Sequence, residues 1–286
     1  MKQAMTDEQY HATPALSKSA IKKWTSKCPR LFWQATPLNP EYKPLETTEG
    51  LVLGSMNHCL LLEPHKFDDT FIIMKMPVKT RGVKWKAIQE AETKTIVTPA
   101  EYELAKRRID ALLSYESIKK MFIGAKFEQP YFWHDKDWDM LCKGQLDIIR
   151  NTEQGIVIID YKTSGKMDTA LRYLSSENLQ FDVGMYDRLC RAKFGKPLAQ
   201  FVFLYQSNKS GEEYYIEPKT IQGVDLDACK VATDLVGNEI SKRYHEWLKG
   251  NKKAWDTEIQ ATPFNPIAGF YWDREIEILK PKTEEV

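Results

Sequence analysis

Three side chains have types and spacing suited to metal-assisted hydrolysis: Asp147 in MLCKGQLDIIR, and Asp160 and Lys162 in GIVIIDYKT. Both segments read as strands. Residues two apart on a strand project to one face, so Asp160 and Lys162 point into one cleft. If the two strands pair as neighbours, Asp147 faces Asp160 across them. Hydrolysing a phosphodiester needs an attacking water, neutralisation of the phosphoryl oxygens and help for a leaving alkoxide. Carboxylate oxygens suit Mg²⁺, which keeps several waters and contacts phosphate. One or two such ions polarise the phosphate and activate water. A nearby lysine adds positive charge where negative charge builds. The tripeptide D-x-K alone favours a plainer reading, a turn-capping Asp and a surface Lys. A G-x-x-D on the preceding strand brings the two readings level.

The elements that must position these residues can be read from periodicity. FEQPYFWHD, MLCKGQLDIIR and GIVIIDYKT read as three strands, the third apolar enough to be covered on both faces. Residues 176–194 read as a helix, QFVFLYQS as a further strand, EEYYIEP as its hairpin or edge neighbour, and 224–249 as a long amphipathic helix. Upstream, 14–33 reads as a short helix capped by Ser17 and broken at Pro29, and 50–63 as a mostly buried helix ending before Pro64. T-P-A-E at 98–101 reads as a capping box opening a helix to about Ser114. The order predicts an α/β fold, a central mixed β-sheet flanked by helices. Residues 1–249 form the expected main domain, and 250–286 a C-terminal extension.

Composition excludes some classes. At 286 residues, 42% hydrophobic and 28% charged, the chain can bury a sizeable core. A net charge of +1 means that any nucleic-acid site must come from local clusters. The five cysteines (28, 59, 142, 190, 229) show no C-x-x-C pair and read as free thiols of a reducing, cytoplasmic compartment. The first twenty residues lack the apolar region of a signal peptide, and no 18-residue apolar run suggests a membrane span.

Several segments in order resemble a known family: Tyr10-His11, LSKS at 16–19, GSMNHCLLLEP at 54–64, KTIVTPAEY at 94–102, LCKGQLDII at 141–149, DYKT at 160–163, and Phe194-Gly195 with FVFL at 201–204. They resemble the RecB-like branch of the PD-(D/E)XK nucleases, with its restriction-endonuclease-like core. More closely they resemble the nuclease domain of the RecE (exonuclease VIII) type, over roughly 10–245. Agreement of several motifs is far more specific than any one. The resemblance implies His58, Asp147 and Asp160 as metal ligands, the Tyr161 carbonyl as a further ligand, and Lys162 as the catalytic lysine. It also implies Mg²⁺ as cofactor. A histidine ligand makes Mn²⁺ support an expectation too. Taken alone, His58 on an apolar helix reads as a satisfied core residue. Glu128 reads as a site-edge carboxylate or as a solvated strand-start charge. Glu63 reads as a local tether.

The family's Q-x-x-x-Y on the helix after D-x-K is altered. Tyr186 fits, but Asp182 stands four residues before it and Gln180 two earlier still. These three are candidates for orienting substrate. The basic stretch 75–86, with Arg81, Lys84 and Trp85, suits backbone phosphate and base stacking, or reads as a solvated loop. Lys22, Lys23 and Arg30 are open in the same way. The resemblance implies a 5′→3′ double-strand DNA exonuclease acting on duplex ends and leaving a 3′ single strand for recombination. It further implies a ring-shaped homo-oligomer, a single-strand annealing partner and a bacterial or phage-encoded protein; no iron–sulfur cluster is expected, because the cysteines lack the four-residue set at the edges of the core that the iron–sulfur relatives need. Alternatives are a structure-specific or nicking endonuclease on the same scaffold, or a DNA-binding protein without catalysis.

Overall fold

The computed structural model describes residues 7–24, 28–43, 49–75, 88, 91–165, 167 and 178–256. Arg81, Lys84 and Trp85 of the basic stretch, and most of the C-terminal extension, lie outside these residues.

Helix α1 (Asp7–Ala12) leads into a two-residue strand, β1 (Leu16–Ser17), and one helical turn, α2 (Lys18–Ile21). Ser17 caps α2, its Oγ accepting from the Ala20 amide at 3.2 Å. Pro29 does not break this helix, which has already ended. It opens a second one, α3 (Pro29–Gln34), where a missing amide hydrogen costs nothing. Helix α4 (Glu49–Leu62) carries His58. A 3-10 turn (Pro64–Lys66), α5 (Phe67–Thr70) and β2 (Phe71–Ile73) follow, and β2 pairs in parallel with β3 (Thr95–Val97). The capping box is present at the start of α6 (Pro99–Ser114): Glu101 accepts from the Thr98 amide at 2.7 Å and Thr98 from the Glu101 amide at 3.2 Å. Helix α7 (Glu116–Phe122) completes this part.

The sheet strands are β4 (Lys126–Asp135), β5 (Met140–Thr152) and β6 (Gly155–Ser164), then, after α8 (Gln180–Phe194), β7 (Leu198–Ser207) and β8 (Ile216–Ile221). The expected hairpin neighbour starts at Ile216, not Glu212. The Tyr215 amide donates back to the Glu212 carbonyl, which keeps 212–215 in the turn. Helix α9 (Gly223–Leu248) is the last helix or strand among the described residues. The six-stranded sheet runs β1-β5-β6-β7-β8, with β4 on the other edge of β5. It is mixed: β6–β7 and β1–β5 are parallel, the other pairs antiparallel. Among the described residues no helix is long and apolar enough to cross a membrane.

Both faces of β6 are covered, as its unbroken apolar run requires. Ile156 and Ile158 belong to the larger core, with α8 and α9 residues such as Phe181, Leu189 and Ile240. Ile159 and Tyr161 belong to a second core with Leu62 of α4 and Leu112 of α6. By alternation Asp160 and Lys162 therefore lie on the α8 face. Gly237 lets α9 close onto the β4–β5 turn, because a Cβ there would lie 2.0 Å from Cζ2 of buried Trp138. Past α9 the chain folds back, and Trp255 stacks on Trp33 of α3 at 4.7 Å within the main core.

One feature of the sheet sets up the site. The β5–β6 ladder runs from Thr152–Gly155 only as far as Ile148–Ile159. On the same edge of β5, β1 pairs with Cys142 and Lys143. Residues 144–147 lie between these two registers, so β5 and β6 diverge into a fork at Asp147 and Asp160.

Candidate metal centre

The fork explains how two buried carboxylates come together without a ladder between them. Asp147 Oδ2 accepts the Tyr161 amide hydrogen at 2.9 Å, replacing the next strand-to-strand bond and fixing the carboxylate at the mouth of the fork. Across the other edge of β5, the registers Phe127–Ile148 and Gln129–Leu146 place Glu128 opposite Asp147. Glu128 has φ 44°, a left-handed conformation inside a strand. That conformation costs an L-residue about 1–2 kcal/mol. Its carboxylate accepts from Gln145 Nε2 at 2.7 Å. His58 arrives from α4, with Nδ1 3.5 Å from Glu128 Oε1 and 3.7 Å from Asp147 Oδ2, and its ring 5.3 Å from that of Tyr161.

One ligand atom each from His58, Glu128 and Asp147 lies within 4.8 Å of the others, a spacing consistent with a shared divalent metal. Two carboxylates and an imidazole suit Mn²⁺, and the carboxylates suit Mg²⁺. The electrostatics favour an added positive charge here. Burial, and then the nearby Asp160, push the Asp147 carboxyl up to about 6 despite His58 and Lys18. Burial pulls the His58 pKa down, but Asp147 and Glu128 outweigh it and raise the net value. The residues thus fit a divalent cation, which would relieve both effects.

Asp160 stands outside that group of three, because its oxygens are turned to lysines. Lys18 Nζ lies 2.7 Å from Oδ1, and Lys162 pairs with Oδ2. Burial alone would raise the Asp160 pKa. Lys162 and Lys18 overcome it and hold the carboxylate well below its ordinary range. Asp182 on α8 continues the chain of charges, 2.8 Å from Lys22 Nζ and 3.7 Å from Lys162 Nζ. The result is an alternating network: Lys18, Asp160, Lys162, Asp182, Lys22.

The residues singled out from the sequence take different places. His58 and Asp147 lie side by side, and Glu128 joins them with its side chain 10% exposed. Asp160 and Lys162 share a face and pair. Tyr161 contributes its amide to Asp147, while its hydroxyl donates to Gln206 at 2.6 Å. Tyr186 and Asp182 do not present surface to a substrate: they are 1% and 0% exposed. The Tyr186 hydroxyl donates to the Gln145 carbonyl inside the fork, and Asp182 holds lysines. Gln180 Oε1 and Asp182 Oδ1 are buried without a hydrogen-bond partner. Glu63 pairs locally with Lys66 at 2.7 Å, as a tether.

Lys18 was not singled out by sequence reasoning, although it sits in the LSKS segment. A lysine at a helix start carries no signal of its own; only the β1–β5 register aims it at Asp160. Lys143 was missed too. Its buried ammonium donates to the carbonyls of Tyr10, His11 and Thr13 at 2.7–2.9 Å, tying the end of α1 to β5.

Comparison with known proteins agrees with this architecture. A crystal structure described as a "putative exonuclease" from Eubacterium rectale superposes with a TM-score of 0.56 at 14% identity, covering 94% of this chain and 99% of that one. At that identity the likeness concerns the fold. The crystal structure of SSO0001, at 15% identity over 67% of this chain and 87% of its own, gives a TM-score of 0.27 and carries no argument. Comparison with curated proteins gives no match. A family model described as "PDDEXK-like domain of unknown function (DUF3799)" matches residues 17–220. That match spans more than half of the sequence and takes in α2, α4 and the whole fork: the chain belongs to the PDDEXK-like family.

Proposed function

We propose that this protein is a divalent-metal-dependent nuclease that degrades double-stranded DNA from an end, 5′→3′, leaving a 3′ single strand for recombination. The observation that carries the hydrolytic part is the fork, which gathers His58, Glu128 and Asp147 beside the Asp160–Lys162 pair. The end-directed part is supported by the RecE-like segments along the sequence and by a fold shared with a protein described as a putative exonuclease. A ring-shaped homo-oligomer and a single-strand annealing partner go with the same reading.

His58, Glu128 and Asp147 would hold Mg²⁺ or Mn²⁺, and such an ion supplies Lewis-acid charge to a phosphoryl oxygen and to an attacking water. The chain's own residues do the rest. The Tyr161 amide fixes the orientation of Asp147. Asp160 and Asp182 hold the Lys162 ammonium between two carboxylates. Lys162 would then place a positive charge where the five-coordinate phosphoryl group gains negative charge.

Linear duplexes labelled separately at each end, incubated with Mg²⁺ and then with EDTA, test the reading. Loss of the 5′ label as mononucleotides, stopped by EDTA, is expected, with covalently closed circles left intact. Cutting of closed circles would replace the exonuclease with an endonuclease. Binding without cleavage in any divalent metal would remove catalysis altogether.

A further inference from the structure

Asp160 is almost completely buried, and both of its oxygens are held by ammonium groups. One lysine suffices to balance one carboxylate, and Lys162 already does so. The second, Lys18, is delivered separately. Strand β1 is bound to Cys142 and Lys143 of β5, α2 begins at the next residue, and the ammonium reaches Oδ1 over the face of the Tyr186 ring, 4.8 Å from its centroid. Lys22, one turn along, points the same way and takes Asp182. The four acidic side chains of the fork, Glu128, Asp147, Asp160 and Asp182, thus face three lysines, one short of balance with a neutral His58. One divalent cation and one phosphodiester together add a single positive charge and close that deficit.

We propose that Lys18 is a placeholder and positioning residue: its ammonium occupies Oδ1 of Asp160, yields it when a divalent ion arrives, and turns to the substrate phosphate. This inference rests on the nuclease reading above. A group that only buttressed the fold would not compete with a metal. A placeholder must, because two cations cannot share one carboxylate oxygen at contact distance without strong repulsion.

The test is Mn²⁺ binding to the full-length protein without DNA, read by electron paramagnetic resonance and calorimetry, for wild type, Lys18→Met, Lys18→Gln and Lys18→Arg. Glutamine keeps a hydrogen bond to Asp160 without the charge, so it reports even where methionine disturbs folding. Tighter Mn²⁺ binding is expected for Met and Gln, by about tenfold, the worth of one charge-assisted hydrogen bond released from competition. Arginine should stay near wild type. With saturating Mn²⁺, the Met and Gln variants should show a raised KM for DNA. Unchanged or weaker Mn²⁺ binding in both uncharged variants overturns the placeholder role while leaving the metal centre intact. A wild type that binds no Mn²⁺ overturns the metal centre itself, and the exchange with it.

Discussion

Glu128 offers a test that separates backbone strain from chemistry. Its φ of 44° lies where a Cβ is penalised, at the third residue of β4. Glu128→Ala and Glu128→Gly both remove the carboxylate, its bond from Gln145 and its repulsion of Asp147. They differ only in the Cβ. At an ordinary strand position glycine is the less stable of the two by roughly 0.5–1 kcal/mol. Here the left-handed backbone reverses the sign, because alanine retains about 1–2 kcal/mol of strain that glycine sheds. The net expectation is a glycine variant more stable than the alanine variant by about 1 kcal/mol, or about 2–4 °C in Tm for a chain of this size. Thermal melts without metal measure the difference. In Mn²⁺ titrations both variants should lose more than the ten- to hundredfold that outer-shell partners are worth, since a direct ligand is gone. An alanine variant as stable as the glycine variant, or more so, would refute the strain argument. Wild-type Mn²⁺ affinity in either would remove Glu128 from the centre.

Asp147→Asn and Asp160→Asn should each abolish cleavage with duplex binding retained in gel-shift assays, the second also with a lowered Tm because Lys18 and Lys162 lose their buried counter-charge; near-normal turnover in either removes that residue from the site. Lys162→Ala should slow single-turnover cleavage by a smaller factor while leaving Mn²⁺ titrations intact. Mn²⁺ affinity should already be falling above pH 6.5 and should fall more steeply below about 6, because the ion must displace protons from His58, raised above its ordinary 6.5, and from Asp147, at about 6. The metal-free protein should do the opposite. Both groups bind protons more tightly folded than unfolded, so its stability should rise as pH falls from 7.5 to 6. The lowered Asp160 carboxyl acts the other way, but only below its unfolded range near 3.8, outside that window. Gly237→Ala should cost about 1–3 kcal/mol by driving a methyl group into the Trp138 ring, seen as a lower Tm with unaltered Mn²⁺ binding.

Elements that local physics controls were legible in the residues alone. The apolar run of β6 implies a strand covered on both faces, and it is. The Thr98–Glu101 box and Ser17 mark helix starts because capping needs only neighbouring atoms. The two-residue spacing of Asp160 and Lys162 places them on one face wherever that strand lies. Local signals misled where neighbours compete: Pro29 opens a helix as readily as it ends one, and Tyr214–Tyr215 look like strand until the turn claims their backbone. Only the tertiary structure decided the membership of the site. Glu128 and Asp147 are nineteen residues apart and meet through a register; Lys18 and Asp160 meet through a two-residue strand that wedges the fork; Tyr186 and Asp182, candidates for touching substrate, are buried as supports. Register and burial depend on the whole sheet, and a carboxylate carries the same letter whether it faces water, a lysine or a metal ion.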